Sequence, residues 1–285
     1  MAGASPGTGR EFPWWLVATL GIGAWLGWRI VADELYREIG RLVVRGLGVT
    51  VFVTVVAFSL AALIGLALAV SVLSNRVWLR QLARFWIEIV RGVPMLVLLL
   101  YVAFVGTPLF VESVNAALAP LGLEPMTTRD IPLLWRAIAA LTIGYSAFVA
   151  EVFRAGLQSV DAGQIEAAEA LGLGPWQRFR HIVLPQAIRT VLPPLGNDFV
   201  AMIKDSSLVS VLGVADITQL GKVYAAGSFR YLETYNVVAY AYLFLTLVLS
   251  LALRALERRL DRQGRARRAA RGDGAADAAS RSILR

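Results

Sequence analysis

The chain has 285 residues, of which 57% are hydrophobic and 17% are charged, and its mean hydropathy is +0.63. This composition is too apolar for an ordinary soluble domain and predicts a membrane protein with several spans. The chain has no cysteine and one histidine, His181, which excludes disulfides, cysteine nucleophiles and metal sites built from cysteine or clustered histidine. The net charge of +8 could indicate nucleic-acid binding, but the arginines lie at span ends and in the C-terminal tail. The positive-inside rule explains that placement, so we expect no nucleic-acid partner.

The N-terminal part predicts one hydrophobic span that precedes the main hydrophobic region. Residues 1–11 are small and polar and are predicted to be disordered. Residues 12–31 are apolar and carry tryptophans near both ends, as membrane spans do. A cleaved signal peptide is the alternative, but no small-residue cleavage site precedes Asp33. Residues 33–45 are charged and amphipathic and are expected to form a short link, so that 12–41 constitutes an extra span and its link.

Two further spans follow, separated by a basic turn. Residues 46–74 are uncharged, which is longer than the ~20 residues that cross a bilayer, so this span is tilted or extends beyond the membrane. Three arginines spaced four apart then lie on one helical face and indicate a cytoplasmic turn: Arg76, Arg80 and Arg84. Residues 92–111 form the third span, and residues 107–132 are expected to be an exterior segment.

Charge pairs are predicted at two span ends. Glu88 and Arg91 lie three residues apart before the third span and are expected to form a pair on the helix surface. Residues 133–150 form the fourth span, and Glu151 and Arg154 are expected to pair where it ends.

After the fourth span comes a polar insert, residues 157–189, with the composition of a structured docking piece. Residues 165–173 are rich in Glu, Ala and Leu, which favour a helix. Gly172 and Gly174 can end that helix, because glycine adopts the left-handed conformation without a Cβ penalty.

A second short helix is predicted to follow the glycines. Pro175 suits its first turn, residues 176–183 form its body, and Pro185 is expected to end it. The insert is therefore predicted to be two short cytoplasmic helices joined at a glycine elbow.

The spacing of this insert resembles the EAA loop of ABC importer permeases. The pattern is Glu-Ala-Ala, three residues, Gly, nine residues and Ile-x-Leu-Pro, and these residues fill it: Glu166, Ala167, Ala168, Gly172, Ile182, Leu184 and Pro185. The resemblance implies that this loop is the site where a separate ATPase docks. The alternative, an ordinary amphipathic connector, would leave the full spacing between two spans unexplained.

The fifth hydrophobic segment, residues 190–215, contains an unusual number of polar residues. The candidates for a solute path are these: Asn197, Lys204, Asp205 and Ser206. Asn197 and Lys204 are seven residues apart and share a helical face, which could meet a solute carboxylate. The alternative is a helix broken at Pro193 and Pro194, with its polar groups satisfied by neighbouring helices.

The C-terminal part predicts one last span and a tail. Residues 213–234 form an exterior link, and residues 235–253 are a clean apolar span that ends in arginines. Residues 261–285 are basic and of low hydrophobicity, and are predicted to be a disordered tail that could touch anionic lipid headgroups. Six spans with both termini in the cytoplasm place the arginine-rich segments inside, including the loop that contains Glu166.

Over residues 42–260 the chain resembles the polar amino-acid permeases of the histidine/glutamine type, in Arg154-Ala-Gly156 and in Lys204-Asp-Ser-Ser207. This resemblance implies an all-α integral membrane protein of the inner membrane, with a five-helix importer core plus the N-terminal span. The implied partners are an ABC ATPase dimer, an extracytoplasmic solute-binding protein, a second permease (a copy or a paralogue), membrane lipid and a polar amino acid as solute.

The chain itself is expected to be no enzyme and to need no cofactor. It contains no Gly-x-x-x-x-Gly-Lys-Ser/Thr phosphate loop, so ATP would be hydrolysed by a separate subunit. An ion-coupled secondary transporter is the alternative, but it would often show an internal repeat, and we find none that is convincing. A membrane enzyme would need a catalytic cluster, and the available carboxylates mostly lie at span ends.

Overall fold

The protein is helical throughout the part that the structure, a computed structural model, describes: residues 14–122 and 124–283, with side chains as far as Arg258. Residues 1–11, predicted to be disordered, lie outside this part. The first six helices are α1 (Trp14–Ala32), α2 (Glu34–Val72), α3 (Val77–Gly92), α4 (Met95–Tyr101), α5 (Thr107–Leu118) and α6 (Leu133–Gln158). The remaining helices are α7 (Ala162–Ala170), α8 (Pro175–Arg178), α9 (Leu184–Asp205), α10 (Ile217–Ser228) and α11 (Tyr231–Ile283).

Five helical segments in the described part are long and apolar enough to cross a membrane: Trp14–Ala32, Glu34–Val72, Met95–Leu121, Leu133–Gln158 and Tyr231–Arg258. The predicted span at residues 190–215 is not one of them. It corresponds to α9 and the 3₁₀ turn Ser206–Leu212, and its many polar residues lower its hydropathy.

α2 differs from the prediction at its N-terminal end. Residues 33–45, expected to be a link, are Asp33 as the N-cap followed by the first turns of a 39-residue helix. The Asp33 carboxylate accepts a hydrogen bond from the backbone N–H of Leu35, 3.0 Å away, which begins the helix directly after α1. At ~1.5 Å per residue the helix is ~58 Å long, about twice the hydrocarbon thickness, so it extends beyond the membrane.

The third span is a helical rod that contains one wide turn. α4 passes into a π turn, Val102–Gly106, where the Thr107 N–H donates to the Val102 carbonyl, and α5 then continues to Leu118. Pro108 follows immediately and lacks an N–H, so the wide turn lets the helix continue past it. The exterior segment predicted at residues 107–132 therefore begins as helix.

α6 is the central helix of the molecule, and half of its residues are buried. It packs on α2, where Gly65 approaches so closely that a Cβ there would lie 3.0 Å from the backbone of α6. Gly144 makes a similar approach to Met95 of α4, and Gly156 to Val191 of α9. Small residues at these crossings bring the helix axes together, as is usual in membrane bundles.

α9 is continuous, which contradicts the broken-helix interpretation. It runs from Leu184 to Asp205 with Pro193 and Pro194 inside it. Gly196 faces α11, where a Cβ would lie 2.2 Å from a methyl carbon of Leu253, so neighbouring helices pack tightly around the proline region. Prolines are tolerated in membrane helices where such neighbours surround them.

The structure also differs from the prediction of a disordered tail at residues 261–285. Helix α11 continues through Ile283. Alanine and arginine are among the strongest helix formers, and this segment is rich in both, so its local helix propensity accounts for the difference.

Candidate functional site

The polar loop after α6 begins with a capped helix and ends in a left-handed glycine. The Asp161 carboxylate accepts a hydrogen bond from the Gly163 N–H at 2.8 Å and caps α7. At the other end the Gly172 N–H donates to the Glu169 carbonyl (2.9 Å) and the Leu173 N–H donates to the Ala168 carbonyl (3.1 Å). This pair of bonds is a Schellman motif, and Gly172 has the positive φ of 76° that it requires. The prediction that Gly172 ends the first loop helix is confirmed.

Gly174 does not end α7, contrary to the prediction. Its φ of −64° is ordinary, and it is the N-cap residue of α8, where its N–H donates to Oε1 of Gln177 at 3.0 Å. Pro175 occupies the first turn of α8, as predicted. The α7–α8 elbow is closed by an ion pair of 2.8 Å between Arg178 and Glu169, in which the arginine is mostly buried.

Pro185 does not end the second helix, and this prediction is wrong. A π turn, Phe179–Val183, follows α8, and the Leu184 N–H donates to the Phe179 carbonyl five residues back. Proline lacks an N–H and clashes with the carbonyl four residues before it in a regular helix. The wide turn accommodates Pro185 in the first turn of α9, so helix runs without a break from Pro175 to Asp205.

A side-chain contact joins the first loop helix to this rod. Nε2 of Gln186, on the first turn of α9, donates to Oε1 of Gln164 on α7 at 2.7 Å. Together with the Arg178–Glu169 pair it attaches α7 at two points to the helix that leads into the membrane region. We refer to residues 161–186 as the docking loop.

The docking loop leaves large apolar side chains uncovered. Leu171 is 81% exposed and Trp176 is 67% exposed, although both lie in a short polar segment. Of the residues in the resemblance, Glu166, Ala167, Gly172 and Pro185 are exposed, Ile182 and Leu184 are half-buried, and Ala168 is buried. The pattern thus combines surface residues with those that hold the elbow.

The four candidate path residues do not share one surface: three lie on α9, and Ser206 begins the 3₁₀ turn that follows it. Asn197 and Lys204 are both exposed, as residues seven apart on one face should be. Asp205 lies away from that face and accepts a hydrogen bond of 2.8 Å from the Tyr145 hydroxyl of α6. Ser206 is buried and donates to the Ile203 carbonyl at 2.7 Å.

Two members of this polar group, Tyr145 and Asp198, were not among the candidates predicted from the sequence. Asp198 lies seven residues before Asp205, so both carboxylates lie on the same side of α9. One oxygen of Asp198 is buried and has no hydrogen-bond partner among the described residues. The seven-residue spacing of two acids was a signal in the sequence, whereas the hydroxyl of Tyr145 on another helix had none.

A polar cavity of about 370 Å³ lies between the C-terminal end of α2, helix α3 and the C-terminal end of α6. Glu151 and Arg154 form the predicted ion pair there, with 2.9 Å from Nε to Oε2, and this prediction is confirmed. Glu88 and Arg91 also line the cavity, but no ion pair joins them within the described part. The Arg91 guanidinium lies instead 5.8 Å from the ring centre of Phe148, so the predicted surface pair is not formed.

Comparisons with known proteins all match this chain to membrane components of transport systems. The family model described as "Binding-protein-dependent transport system inner membrane component" matches residues 61–265. The glutamine transport system permease protein GlnP of Escherichia coli (strain K12) is 36% identical over 220 residues, which are 77% of this chain and 93% of that protein. The probable amino-acid permease protein YxeN of Bacillus subtilis (strain 168) is 37% identical over 220 residues, covering 77% and 91% of the two chains.

A solved structure shares the fold as well as the sequence. The crystal structure of an amino acid ABC transporter with histidines superimposes with a TM-score of 0.67 at 36% identity. The match covers 80% of this chain and 99% of that one. The family match begins at residue 61, so α1 and the first part of α2 lie outside it.

Proposed function

We propose, from the premise that this chain belongs to the family of binding-protein-dependent transport system inner membrane components, that it is the permease subunit of an ATP-driven importer of polar amino acids. The docking loop would receive the motion of a separate ATPase dimer. An extracytoplasmic binding protein would deliver solute, and a second permease, a copy or a paralogue, would complete the pathway. Both termini would lie in the cytoplasm, with α9 as a sixth crossing beside the five long apolar helices, because that orientation puts the arginine-rich segments inside.

The observation that carries the proposal is the continuous helix from Pro175 to Asp205. Its first turns belong to the docking loop, and its last turn carries Lys204 and Asp205. A continuous helix moves as a unit, so a displacement at Pro175 would be transmitted along the helix to Lys204 and Asp205. The Gln164–Gln186 and Glu169–Arg178 contacts add α7 to the moving body.

The surface of the docking loop favours a protein partner. Exposed apolar side chains in a cytoplasmic loop are costly unless something covers them, and Leu171 and Trp176 are both uncovered. A short helix that inserts such side chains into a groove is a common mode of docking. The chain has no phosphate loop of its own, so the energy of ATP would have to arrive through this contact.

The solute class rests on α9 and on the relatives. Asp198 and Asp205 offer carboxylates, and Asn197 and Lys204 offer an amide and an ammonium on the adjacent, exposed face. An amino acid carries an ammonium group and a carboxylate, so its ammonium could bind the acidic face and its carboxylate the adjacent face with Asn197 and Lys204. The relatives named for glutamine or amino acids support the same class.

Substitution of one exposed leucine tests the docking surface. Leu171→Glu replaces an 81% exposed apolar side chain with a charge, and Leu232→Glu makes the same change at a 73% exposed leucine on α11. We expect Leu171→Glu to lower both the ATPase that co-purifies with the chain and ATP-dependent uptake, because a carboxylate cannot enter an apolar groove. Leu232→Glu should behave like the wild type. Equal ATPase recovery and uptake in the two variants would contradict the proposal.

The same preparation separates the importer from the ion-coupled secondary transporter. Proteoliposomes that contain the chain and its co-purified partners should take up amino acid only with ATP and the binding protein. Uptake by the chain alone, driven by an ion gradient, would favour the secondary transporter.

A further inference from the structure

Arg136 is a buried cation at the start of α6. It is only 9% exposed, and its guanidinium donates to three backbone carbonyls. Nε donates to Ile131 at 2.9 Å, Nη1 donates to Ala103 at 3.3 Å, and Nη2 donates to Thr128. The Ala103 carbonyl lies in the π turn between α4 and α5. Arg136 therefore links the third span to the loop before α6.

The charge of Arg136 is not neutralised by any carboxylate among the side chains that the structure describes. Asp130, in the adjoining loop, is held by the Thr127 N–H at 2.6 Å, and this hydrogen bond lowers the pKa of the Asp130 carboxyl. A guanidinium has five N–H donors, and the three carbonyls use three of them. Two donors and a full positive charge remain in a mostly buried position.

Arg136 is one of the residues that line an apolar groove of about 610 Å³. Its walls come from α3, the α4–α5 rod and α6, and among the residues that the structure describes Arg136 is the only arginine, lysine or acidic residue in its lining. Several of its aromatic residues are exposed on the outside of the bundle, among them Phe85, Phe110 and Trp135. The groove therefore opens on the outside of the bundle, where lipid chains or a second permease lie in a membrane.

We propose that this groove is a phospholipid site, with the headgroup phosphate on Arg136 and an acyl chain along the groove. A phosphate accepts two N–H donors from one guanidinium in a bidentate arrangement, and Arg136 has two left. The phosphate also provides the missing counter-charge in a region of low dielectric, where an unpaired charge is costly. The volume lies within the range of sites that hold a small ligand, and the lining suits hydrocarbon.

The bound lipid would add a further connection between elements that already pack on one another. Its phosphate would lie at the loop 128–131 and the π turn, and its chain would reach α3 at Phe85 and Trp86. It would lie in the leaflet on the side of that loop. This inference depends on the chain spanning a membrane and is independent of the solute and of the ATPase.

Two variants test the headgroup and the chain separately. Arg136→Gln removes the charge, with Arg129→Gln at an exposed arginine of the same loop as its control. Ala139→Phe fills the groove, since Ala139 lines it and is exposed, and leaves the charge of Arg136 in place. Its control is Ala67→Phe, at an exposed alanine of α2 outside the groove. The full-length chain is purified in mild detergent, and phospholipid that remains bound is counted by native mass spectrometry.

We expect one retained phospholipid in the wild type and both controls. Arg136→Gln should weaken retention roughly tenfold or more, since a hydrogen bond to a charged group has at least that effect. Ala139→Phe should weaken retention to a similar extent, because its ring would occupy the space of the acyl chain. Wild-type helix content by circular dichroism should accompany these losses. Equal retention in all variants, loss in only one of the two test variants, or no lipid on the wild type would overturn the proposal.

A second measurement distinguishes the lipid from a free anion. The wild type is delipidated and its thermal unfolding is followed with either inorganic phosphate or phospholipid in mixed micelles. We expect phospholipid to raise the unfolding temperature, and to do so less in Arg136→Gln. An equal rise with inorganic phosphate would show an anion site without a chain and would contradict the groove assignment.

Discussion

The left-handed glycine of the docking loop allows a sharp test of how the loop works. Gly172 has a φ of 76° and no atom within 4 Å of the position where a Cβ would be, so substitution there adds strain but no clash. Gly174, two residues later, has an ordinary φ of −64° and is also uncrowded, with its nearest neighbour at 3.8 Å. The variants Gly172→Ala and Gly174→Ala therefore differ mainly in backbone strain.

The magnitude follows from the backbone conformation. A residue with a Cβ in the left-handed region costs about 1–2 kcal/mol relative to glycine. That energy corresponds to about a 5–30-fold shift of the equilibrium away from the closed elbow. Asparagine is the residue after glycine that best tolerates this region, so Gly172→Asn should lose less than Gly172→Ala.

The assay is ATP-dependent uptake by the chain reconstituted with its co-purified partners, alongside thermal unfolding of the chain alone. We expect uptake to be highest in Gly174→Ala, lower in Gly172→Asn and lower still in Gly172→Ala. Gly172→Asp also adds a charge on the docking surface, so its uptake should be equal to or below that of Gly172→Ala. Unfolding of the membrane helices should change little, because the loop lies outside the core. Equal uptake by Gly172→Ala and Gly174→Ala would refute the argument that the left-handed elbow transmits motion.

Two more predictions concern the bundle. A Cβ on Gly46 would lie 2.6 Å from backbone atoms of Ile217, whereas a Cβ on Gly48 would have nothing within 4 Å. We therefore expect Gly46→Ala to destabilise the chain by about 1–3 kcal/mol and Gly48→Ala to stabilise it by up to about 1 kcal/mol. Unfolding in detergent measures both effects, and a reversed order of stability would contradict the packing. Tyr145→Phe removes the hydroxyl that donates to Asp205 at 2.8 Å, and a hydrogen bond to a carboxylate contributes about 1.5–3 kcal/mol. We therefore expect the variant to have a raised KM for uptake. An unchanged KM would exclude Tyr145 and Asp205 from the solute path.

Helical periodicity and hydropathy predicted most of the fold. Long apolar runs specify membrane helices almost independently of tertiary contacts, so five of the six predicted spans appear as long apolar helices. The predictions that Gly172 ends the first loop helix and that Pro175 lies in the first turn of the second were also correct, because each residue acts through its own backbone preference. The Schellman motif at Gly172 needs only neighbouring backbone groups.

The errors occurred where a residue depends on its surroundings. Pro185, Pro193 and Pro194 have the character of helix breakers in isolation, yet α9 passes through all three. A widened turn precedes Pro185, and packed neighbours surround the other two, and neither is visible in the local sequence. Tyr145 was missed for a related reason: its partner Asp205 lies 60 residues away on another helix.

The π turns also change how residues on the two sides of each are compared. A π turn inserts one residue into a helix, and each residue of an α-helix advances the wheel by ~100°. A helical wheel drawn from Pro175 through Phe179–Val183 therefore assigns every residue of α9 to a face about 100° from its real one. The direction in which Lys204 points, relative to Trp176 on the docking loop, thus depends on a single extra residue between them. Homologues of different length in this turn would present different faces of α9 for the same orientation of the loop.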